Sequence, residues 1–173
     1  MRWDRLLAEI EASQIDDAAL ERDALASELV DEEWAEARAR DLIWGEVALE
    51  VSGVGWIEGR VIRSAEDFVV LSDQAREMVV ARSAVLGWRG GGGRAPELRG
   101  VAARLGWSQV LRALRDDAED VRLVRVDGSH VTGRVEAVAR DAVRLGQPGT
   151  GPSGFGPSGP WVVLPTVATL QVL

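Results

Sequence analysis

The sequence predicts a mainly β protein with helices, in which an N-terminal helical arm precedes two tandem five-stranded barrels. Two observations predict it: a set of residues between positions 47 and 71 recurs 74 positions later, and helical spacing gives way to strand alternation near residue 43. Repetition of a unit of this size decides the architecture before any single motif does. The expected boundaries are 1–41 for the arm, 42–89 for the first barrel, 90–97 for a linker, and 98–173 for a helix and the second barrel.

The two copies share their apolar strand positions and their bend glycines. The matched pairs are Val47 and Val121, Leu49 and Leu123, Gly59 and Gly133, Arg60 and Arg134, Val61 and Val135, Val69 and Val143, and Leu71 and Leu145. The copies also end alike when residues 78–86 are aligned with 161–169, 83 positions later, which places nine extra residues in one loop. Five short strands in about 45 residues suit a small, strongly bent barrel with glycines at its bends.

Helical spacing is confined to the arm and to one segment between the copies. An i, i+3, i+4, i+7 apolar pattern predicts a short helix over residues 2–12, and a weaker stripe predicts a longer one over 18–40. The helix before the second barrel should end near Arg115, because the acidic run 116–120 would oppose the helix dipole. The four glycines at 90–93 predict a flexible linker, and the Gly- and Pro-rich loop 146–160 is expected to be disordered.

Composition excludes thiol-based chemistry and argues against a membrane environment. The 173 residues include no Cys, which excludes disulfides, thiolate zinc sites and thiol catalysis. Lys, Asn and Tyr are also absent, so all 20 basic residues are Arg. No apolar run approaches the roughly 20 residues that span a bilayer, and the N-terminus lacks a signal-peptide core. We therefore expect a cytoplasmic protein with no membrane association.

The net charge of −8 is unevenly distributed along the chain. Residues 1–81 hold 20 acidic residues and 8 Arg, a balance of −12, whereas residues 82–173 hold 8 acidic residues and 12 Arg, a balance of +4. One interpretation is that the acidic excess is the solvated face of the arm helices. The other is that an acidic arm docks on, or competes for, a basic second barrel.

Residues 121–135 carry the clearest family resemblance. This segment places Gly128 and Gly133 five residues apart in a turn and a second strand, and with the preceding helix it resembles the Sm-like (LSm) superfamily of RNA-binding barrels. The whole chain resembles tandem two-barrel proteins of high-GC bacteria. An SH3-like barrel of another family would give much the same pattern. The resemblance also implies pairing of the fourth strand of one subunit with the fifth strand of the next, which two copies in one chain can satisfy once internally.

The RNA-gripping signature of that superfamily is missing here. The resemblance implies an Asp and an Asn after the second strand and a basic-Gly turn between the last two strands. The loops 64–69 and 138–143 contain no Asn, and the turns 81–83 and 164–166 contain no Gly. The resemblance therefore implies a fold without carrying over a binding residue.

Catalytic chemistry is hard to assemble from the residues present. The only His, His130, follows Asp127, Gly128 and Ser129 in a segment that turn chemistry explains. The acidic residues of 116–120 offer oxygen ligands for Mg²⁺, but they lack a regular ligand spacing. We expect no catalytic residue, no metal, no cofactor and no enzymatic activity.

We predict a non-enzymatic interaction or regulatory module that binds a protein partner or self-associates through exposed barrel edges, as a monomer or small oligomer. The alternative is an RNA- or DNA-binding regulator that uses the Arg-rich C-terminal half, with weak binding. Four strand tryptophans, Trp44, Trp56, Trp88 and Trp161, are expected at core or rim positions, where an exposed pair would make a binding anchor. The candidate contact residues for a partner or nucleic acid are Trp88, Arg89, Arg94, Arg122, Arg125, Arg140 and Arg144.

Overall fold

The computed structural model describes residues 35, 37–73, 76–92, 106–146 and 159–173. Contacts within the chain separate two compact units, Met1–Arg38 and Ala39–Leu173, and the second unit holds both sequence copies. The predicted arm helices lie almost entirely outside the described residues, as do Arg94 and most of the loop 146–160.

Two helices and ten strands make up the described part of the second unit. The helices are α1 (Ala39–Leu42) and α2 (Trp107–Asp116). The first copy forms β1 (Gly45–Val51), β2 (Gly55–Ser64), β3 (Phe68–Asp73), β4 (Arg76–Ala81) and β5 (Val85–Gly90). The second forms β6 (Asp120–Arg125), β7 (His130–Val138), β8 (Ala142–Gly146), β9 (Trp161–Val163) and β10 (Val167–Val172). A single 3-10 turn joins the last two strands of each copy, Arg82–Ala84 and Leu164–Thr166.

All ten strands belong to one open antiparallel sheet, in the order β5-β1-β2-β3-β4-β10-β6-β7-β8-β9. The prediction of a helical arm followed by two tandem five-stranded barrels is therefore wrong. The copies are the two halves of a single sheet, and α1 is the only complete helix before β1 within the described residues. The physical reason lies at β4, whose outer edge would otherwise leave backbone N–H and C=O groups without strand partners. The last strand of the second copy covers that edge.

The β4–β10 junction is the connection that joins the two halves. Val80 lies opposite Thr169, Val79 opposite Leu170, and Met78 opposite Gln171. The expected pairing of the fourth strand of one copy with the fifth strand of the other is thus confirmed. Ala168, also on β10, is buried in the core of the first half together with Val80, Ala81 and Ala84, so the junction is packed as well as hydrogen-bonded.

Strand pairing confirms the 74-residue repeat in its first part and corrects it at its end. Val47 lies opposite Gly59 and Val121 opposite Gly133, as that offset requires. In the last two strands the offset is 82 and not 83, because Phe68 lies opposite Ala81 while its counterpart Ala142 lies opposite Val163. Val80 aligns with a valine at either offset, Val163 at 83 and Val162 at 82, so this position does not distinguish the two alignments.

Each half has its own core of aliphatic side chains. The predicted inward residues Val61 and Val135 are only 1% and 2% exposed, which confirms their orientation. The main core of the first half includes Val47, Leu49, Val51, Val61, Val69, Leu71 and Val80, and that of the second includes Leu111, Val121, Leu123, Val135, Val143, Leu145, Val162 and Leu170. Trp107 packs partly buried against both.

Two glycine positions explain how the chain bends. A Cβ atom on Gly133 would overlap the carbonyl oxygen of Gly146, so only glycine allows β7 and β8 to approach this closely. Gly53, in the turn between β1 and β2, has a φ of 73° and packs against the backbone of the turn between β6 and β7. There the hydroxyl of Ser52 donates to the carbonyl of Val126 at 3.1 Å, so equivalent turns of the two copies contact each other.

Helix α2 begins at Trp107 and ends at Asp116, one residue beyond its expected end. An acidic residue at the end of a helix interacts unfavourably with the helix dipole. Here the Arg115 guanidinium lies 2.7 Å from the Asp116 carboxylate and offsets that interaction. Leu111 is buried in the second core, as its place in the apolar pattern predicts.

Candidate interaction edges of the sheet

The sheet ends in two strands that are each paired on one side only within the described residues. β5 pairs with β1 at one end, and β9 pairs with β8 at the other. Each outer strand carries two exposed apolar side chains: Leu86 (67%) and Trp88 (37%) on β5, and Trp161 (51%) and Val163 (50%) on β9. Open strand edges of this apolar character are where other chains add to a sheet.

The backbone of both outer strands directs hydrogen-bonding groups outward at the tryptophans. Next to β5, Gly91 N donates to Glu46 O at 2.8 Å. Because the backbone groups of successive residues point in alternate directions, the N–H and C=O groups of Arg89 point toward β1 and those of Trp88 point away from it. Just before β9, the Pro160 carbonyl oxygen accepts from Leu145 N at 3.2 Å and so points toward β8. The backbone N–H and C=O groups of the next residue, Trp161, therefore point outward. Each edge therefore offers a donor, an acceptor and an indole at one residue.

Arginine side chains lie against tryptophan rings near both edges. The Arg144 guanidinium carbon is 5.6 Å from the centre of the Trp161 ring, while its Nε lies 3.1 Å from Glu136 Oε2. In the first half, the Arg89 guanidinium carbon is 4.4 Å from the centre of the Trp56 ring. These cation–π contacts hold the arginines against the protein surface.

The predicted contact residues are distributed over several elements of the sheet. Arg125 is partly buried and donates from Nη1 to Ser129 Oγ at 3.3 Å, whereas Arg122 and Arg140 are exposed. Six of the seven are described and lie on different elements: Trp88 and Arg89 on β5, Arg122 and Arg125 on β6, Arg140 after β7, and Arg144 on β8.

A groove between the halves brings together the loops that the Sm-like resemblance associates with RNA. Its lining includes Glu66, Asp67, Arg82, Arg140 and Asp141 beside the start of α2. Arg82 donates from Nε to the Ala65 carbonyl at 2.8 Å and from Nη2 to the hydroxyl of Ser64 at 2.6 Å, so part of its hydrogen-bonding capacity is used inside its own loop. Acidic and basic groups are mixed along this groove, which gives it little of the positive field that phosphates require.

The segment around His130 has the geometry of a turn. Ser129 donates to Asp127 Oδ1 from its backbone N at 2.9 Å and from its hydroxyl at 2.6 Å, and these hydrogen bonds lower the pKa of the Asp127 carboxyl. His130 is exposed at the start of β7. Within the ranges described, no three His, Cys, Asp or Glu side chains cluster as metal ligands would, and no helix is long and apolar enough to cross a membrane.

Sequence reasoning named Trp88 and Trp161 but missed Leu86 and Val163. Both missed residues resemble ordinary members of alternating strands. The 82-residue offset pairs Leu86 with Ala168 and Val163 with Ala81, and so places larger side chains on the outer strands than at the junction, but this offset is seen only in the strand pairing.

Comparisons of the chain with protein-family models, with curated proteins and with solved structures find no match.

Proposed function

We propose that this protein is a non-enzymatic interaction module that binds another protein chain by strand addition at the outer edges of β5 and β9. The observation that carries the proposal is the coincidence, at each edge, of an exposed tryptophan with outward-directed backbone groups. Strand addition uses both: main-chain hydrogen bonds supply affinity, and side chains on the added face supply specificity.

The four edge side chains are suited to a protein partner. Tryptophan buries a large area at low entropic cost and is enriched among the residues that dominate binding energy. Leu86 and Val163 extend the apolar surface along each strand, and single apolar residues in this position are otherwise a liability for aggregation.

Nucleic acid is the less supported partner. The five described candidate arginines are spread over β5, β6, the turn after β7, and β8, and three of them contact Glu136, Ser129 or an indole ring. The groove between the halves mixes both signs of charge. Both features weaken a continuous track for phosphates.

The proposal includes a relationship between each half and the Sm-like superfamily. The strand order β5-β1-β2-β3-β4 in one half recurs as β10-β6-β7-β8-β9 in the other, and the junction between β4 and β10 supports the relationship. The relationship that we propose concerns the repeat unit, since the ten strands form one open sheet and not two separate barrels.

Site-specific photo-crosslinking in the native host tests the proposal. A photoreactive amino acid replaces Trp88 or Trp161, and a matched control replaces Arg60, which is exposed on the interior strand β2. We expect protein adducts from the two edge positions, unchanged by nuclease, and none from position 60. Adducts that disappear with nuclease, or equal labelling at position 60, would contradict the proposal.

A binding measurement with the purified partner completes the test. Trp88→Ala or Trp161→Ala should weaken binding by at least about tenfold, because a central aromatic contact is lost. Arg60→Ala should leave the dissociation constant unchanged.

A further inference from the structure

We infer that the partner strand added to the outer edge of β5 carries a basic residue, Lys or Arg, between two apolar residues. This inference rests on the proposed function, since it names the chemistry of the partner at one of the same two edges. Its basis is the carboxylate of Glu50 on β1, which lies over a glycine of the edge strand.

The Glu50 carboxylate reaches the edge because Gly87 has no side chain. Gly87 on β5 lies directly opposite Glu50 on β1. A Cβ atom on Gly87 would lie 3.5 Å from Glu50 Oε2, so the carboxylate fills the space beside the backbone that a side chain would take. A strand paired with β5 places the Cβ of one residue about 5 Å from this point, on the same face of the sheet. The long side chains of Lys and Arg span the remaining distance to the carboxylate.

The chain itself does not neutralise this carboxylate. Within the described part of the chain, no Arg side chain forms an ion pair with Glu50. The basic residue of the edge strand, Arg89, has its guanidinium carbon 4.4 Å from the centre of the Trp56 ring, which belongs to β2, two strands in from the edge. Arg89 therefore extends away from the edge, and the partly exposed Glu50 is available to a cation from outside.

The other face of the β5 edge favours apolar side chains. Trp88 lies opposite Leu49, which is fully buried in the first core, so the Trp88 indole is on the core-facing side of the sheet. An apolar hollow of about 150 Å³, lined in part by Val69, Leu86 and Trp88, opens beside it. The added strand should therefore alternate, with apolar side chains on this face and a basic side chain on the face of Glu50.

The closed junction between β4 and β10 shows how the same edge is built to receive an aliphatic strand. Thr169 takes the place of Gly87 there, and Val124 takes the place of Glu50. The residue of β4 beside Thr169 is Val80, and both side chains are buried. The closed edge thus has an aliphatic side chain where the open edge has a carboxylate.

A second copy of the chain is accordingly a poor occupant of the β5 edge. Its β9 would bring Val162, the counterpart of Val80, to the position beside Gly87. The Glu50 carboxylate would then lose water without gaining a cation, which is unfavourable. A partner strand with Lys or Arg at this position keeps the carboxylate paired.

Hydrogen exchange and NMR titration of the full-length chain with synthetic peptides test the inference. The probes are blocked heptapeptides with two threonines at each end and a valine on each side of a central residue that is Arg, Gln or Glu. Binding at β5 is read from slowed exchange of the Trp88 amide, whose N–H points outward. We expect the Arg peptide to bind about fivefold more tightly than the Gln peptide, the effect of one partly exposed ion pair, and the Glu peptide to bind most weakly.

Substitutions of two glutamates assign the preference to one carboxylate. Glu50→Gln should abolish the preference for Arg over Gln, and Glu50→Arg should reverse it in favour of the Glu peptide. The matched control is Glu58→Gln, which removes the same charge from the same face of the sheet but lies on β2. It should keep the fivefold preference. Thermal melts should show all three variants folded, since neither glutamate is buried.

An Arg preference that Glu50→Gln retains would overturn the inference, because the overall acidity of the chain would then explain it. Peptides that protect the Trp88 amide without any preference among central residues would also overturn it, while leaving strand addition intact. Protection by no peptide would overturn it as well, and crosslinking from position 88 then decides the proposed function separately. A crosslink from position 88 to β9 of a second copy would contradict the basic partner.

Discussion

The indole of Trp107 packs against the phenyl ring of Phe68, with ring centroids 5.7 Å apart and the ring planes inclined by 55°. Trp107 opens the helix of the second copy, and Phe68 opens the third strand of the first. Tilted aromatic pairs at this separation are favourable beyond the area they bury. This contact and the strand junction therefore fix the two halves to each other by independent means.

Removing this aromatic contact should destabilise the whole described unit. We expect Trp107→Ala to lower the free energy of unfolding by about 2–4 kcal/mol, because a large side chain shared by both cores is lost. Trp107→Phe should recover much of the loss. Urea unfolding followed by circular dichroism measures both. Trp56→Ala is the control, and a cost equal to that of Trp107→Ala would contradict the role given to the aromatic pair.

Equivalent core valines should respond equally to a buried charge. Val61→Asp and Val135→Asp should each abolish cooperative unfolding of the sheet, because either carboxylate would lie unpaired in a core. Thermal melts provide the measurement. Arg60→Ala should shift stability by less than about 0.5 kcal/mol. A harmless Val135→Asp beside a destructive Val61→Asp would show that the copies are not structurally equivalent.

Arg134, the counterpart of Arg60, should be less tolerant of substitution. Its Nε lies 3.1 Å from the Asp120 carboxylate, and both side chains are about one-quarter exposed. Loss of a partly exposed ion pair costs up to about 1 kcal/mol. Chemical denaturation of Arg134→Ala and Arg60→Ala should therefore rank Arg134→Ala as the more destabilising. The reverse order would argue against a contribution from the ion pair.

The two bend glycines should differ in their tolerance of a methyl group. Gly133→Ala forces a Cβ into the backbone oxygen of Gly146, whereas Gly59→Ala places it 3.0 Å from the Ser72 oxygen. We expect costs of about 2–3 kcal/mol for the first and about 1 kcal/mol for the second. Equilibrium denaturation provides the comparison. Equal costs would show that the strands relax apart without penalty.

The carboxyl of Asp127 should titrate below its ordinary pKa of 3.8, because it accepts two hydrogen bonds from Ser129. A pKa lowered by folding means that the turn contributes stability above the unfolded-state pKa and loses it as the pH falls through the folded-state pKa. Carboxyl-detected NMR titration measures the midpoint. Ser129→Ala should raise it, whereas the distant Ser83→Ala should not. An unchanged midpoint in Ser129→Ala, which keeps the backbone N–H, would exclude the hydroxyl hydrogen bond as a cause.

Binding of U-rich RNA should be weak at physiological salt. The chain has no Asn, and residual affinity would rest on Arg–phosphate contacts that salt weakens. Fluorescence anisotropy at several salt concentrations tests this expectation. A submicromolar, sequence-selective complex that survives about 0.2 M salt would favour the nucleic-acid alternative.

The alternation of apolar residues was enough to predict which side chains form the cores. Val61 and Val135 follow bend glycines in both copies, and period-two spacing assigns them to the inner face. The union of the two halves could not be predicted in the same way, because strand edges pair through backbone groups that every residue but proline possesses. The positions of the four tryptophans expected on strands could not be predicted either, since an indole on an alternating strand suits a core or an exposed rim.

The one-residue error in the fourth strands has a similar origin. Val79 and Val80 match Val162 and Val163 in side-chain identity, yet the strands pair with Val80 and Val162 as counterparts. β-branched residues in a row carry no mark of register. Only the hydrogen-bonding partners on the third strands resolve it.

Carrying both halves on one polypeptide fixes their stoichiometry at one to one, whatever the level of expression. The β4–β10 contact forms intramolecularly, so dilution does not dissociate it as it would a contact between separate chains. The two halves are also free to diverge, because a substitution in one is not copied into the other. The halves already differ modestly in charge, since Gly45–Gly90 holds seven acidic residues and five Arg, whereas Asp120–Val172 holds four acidic residues and five Arg.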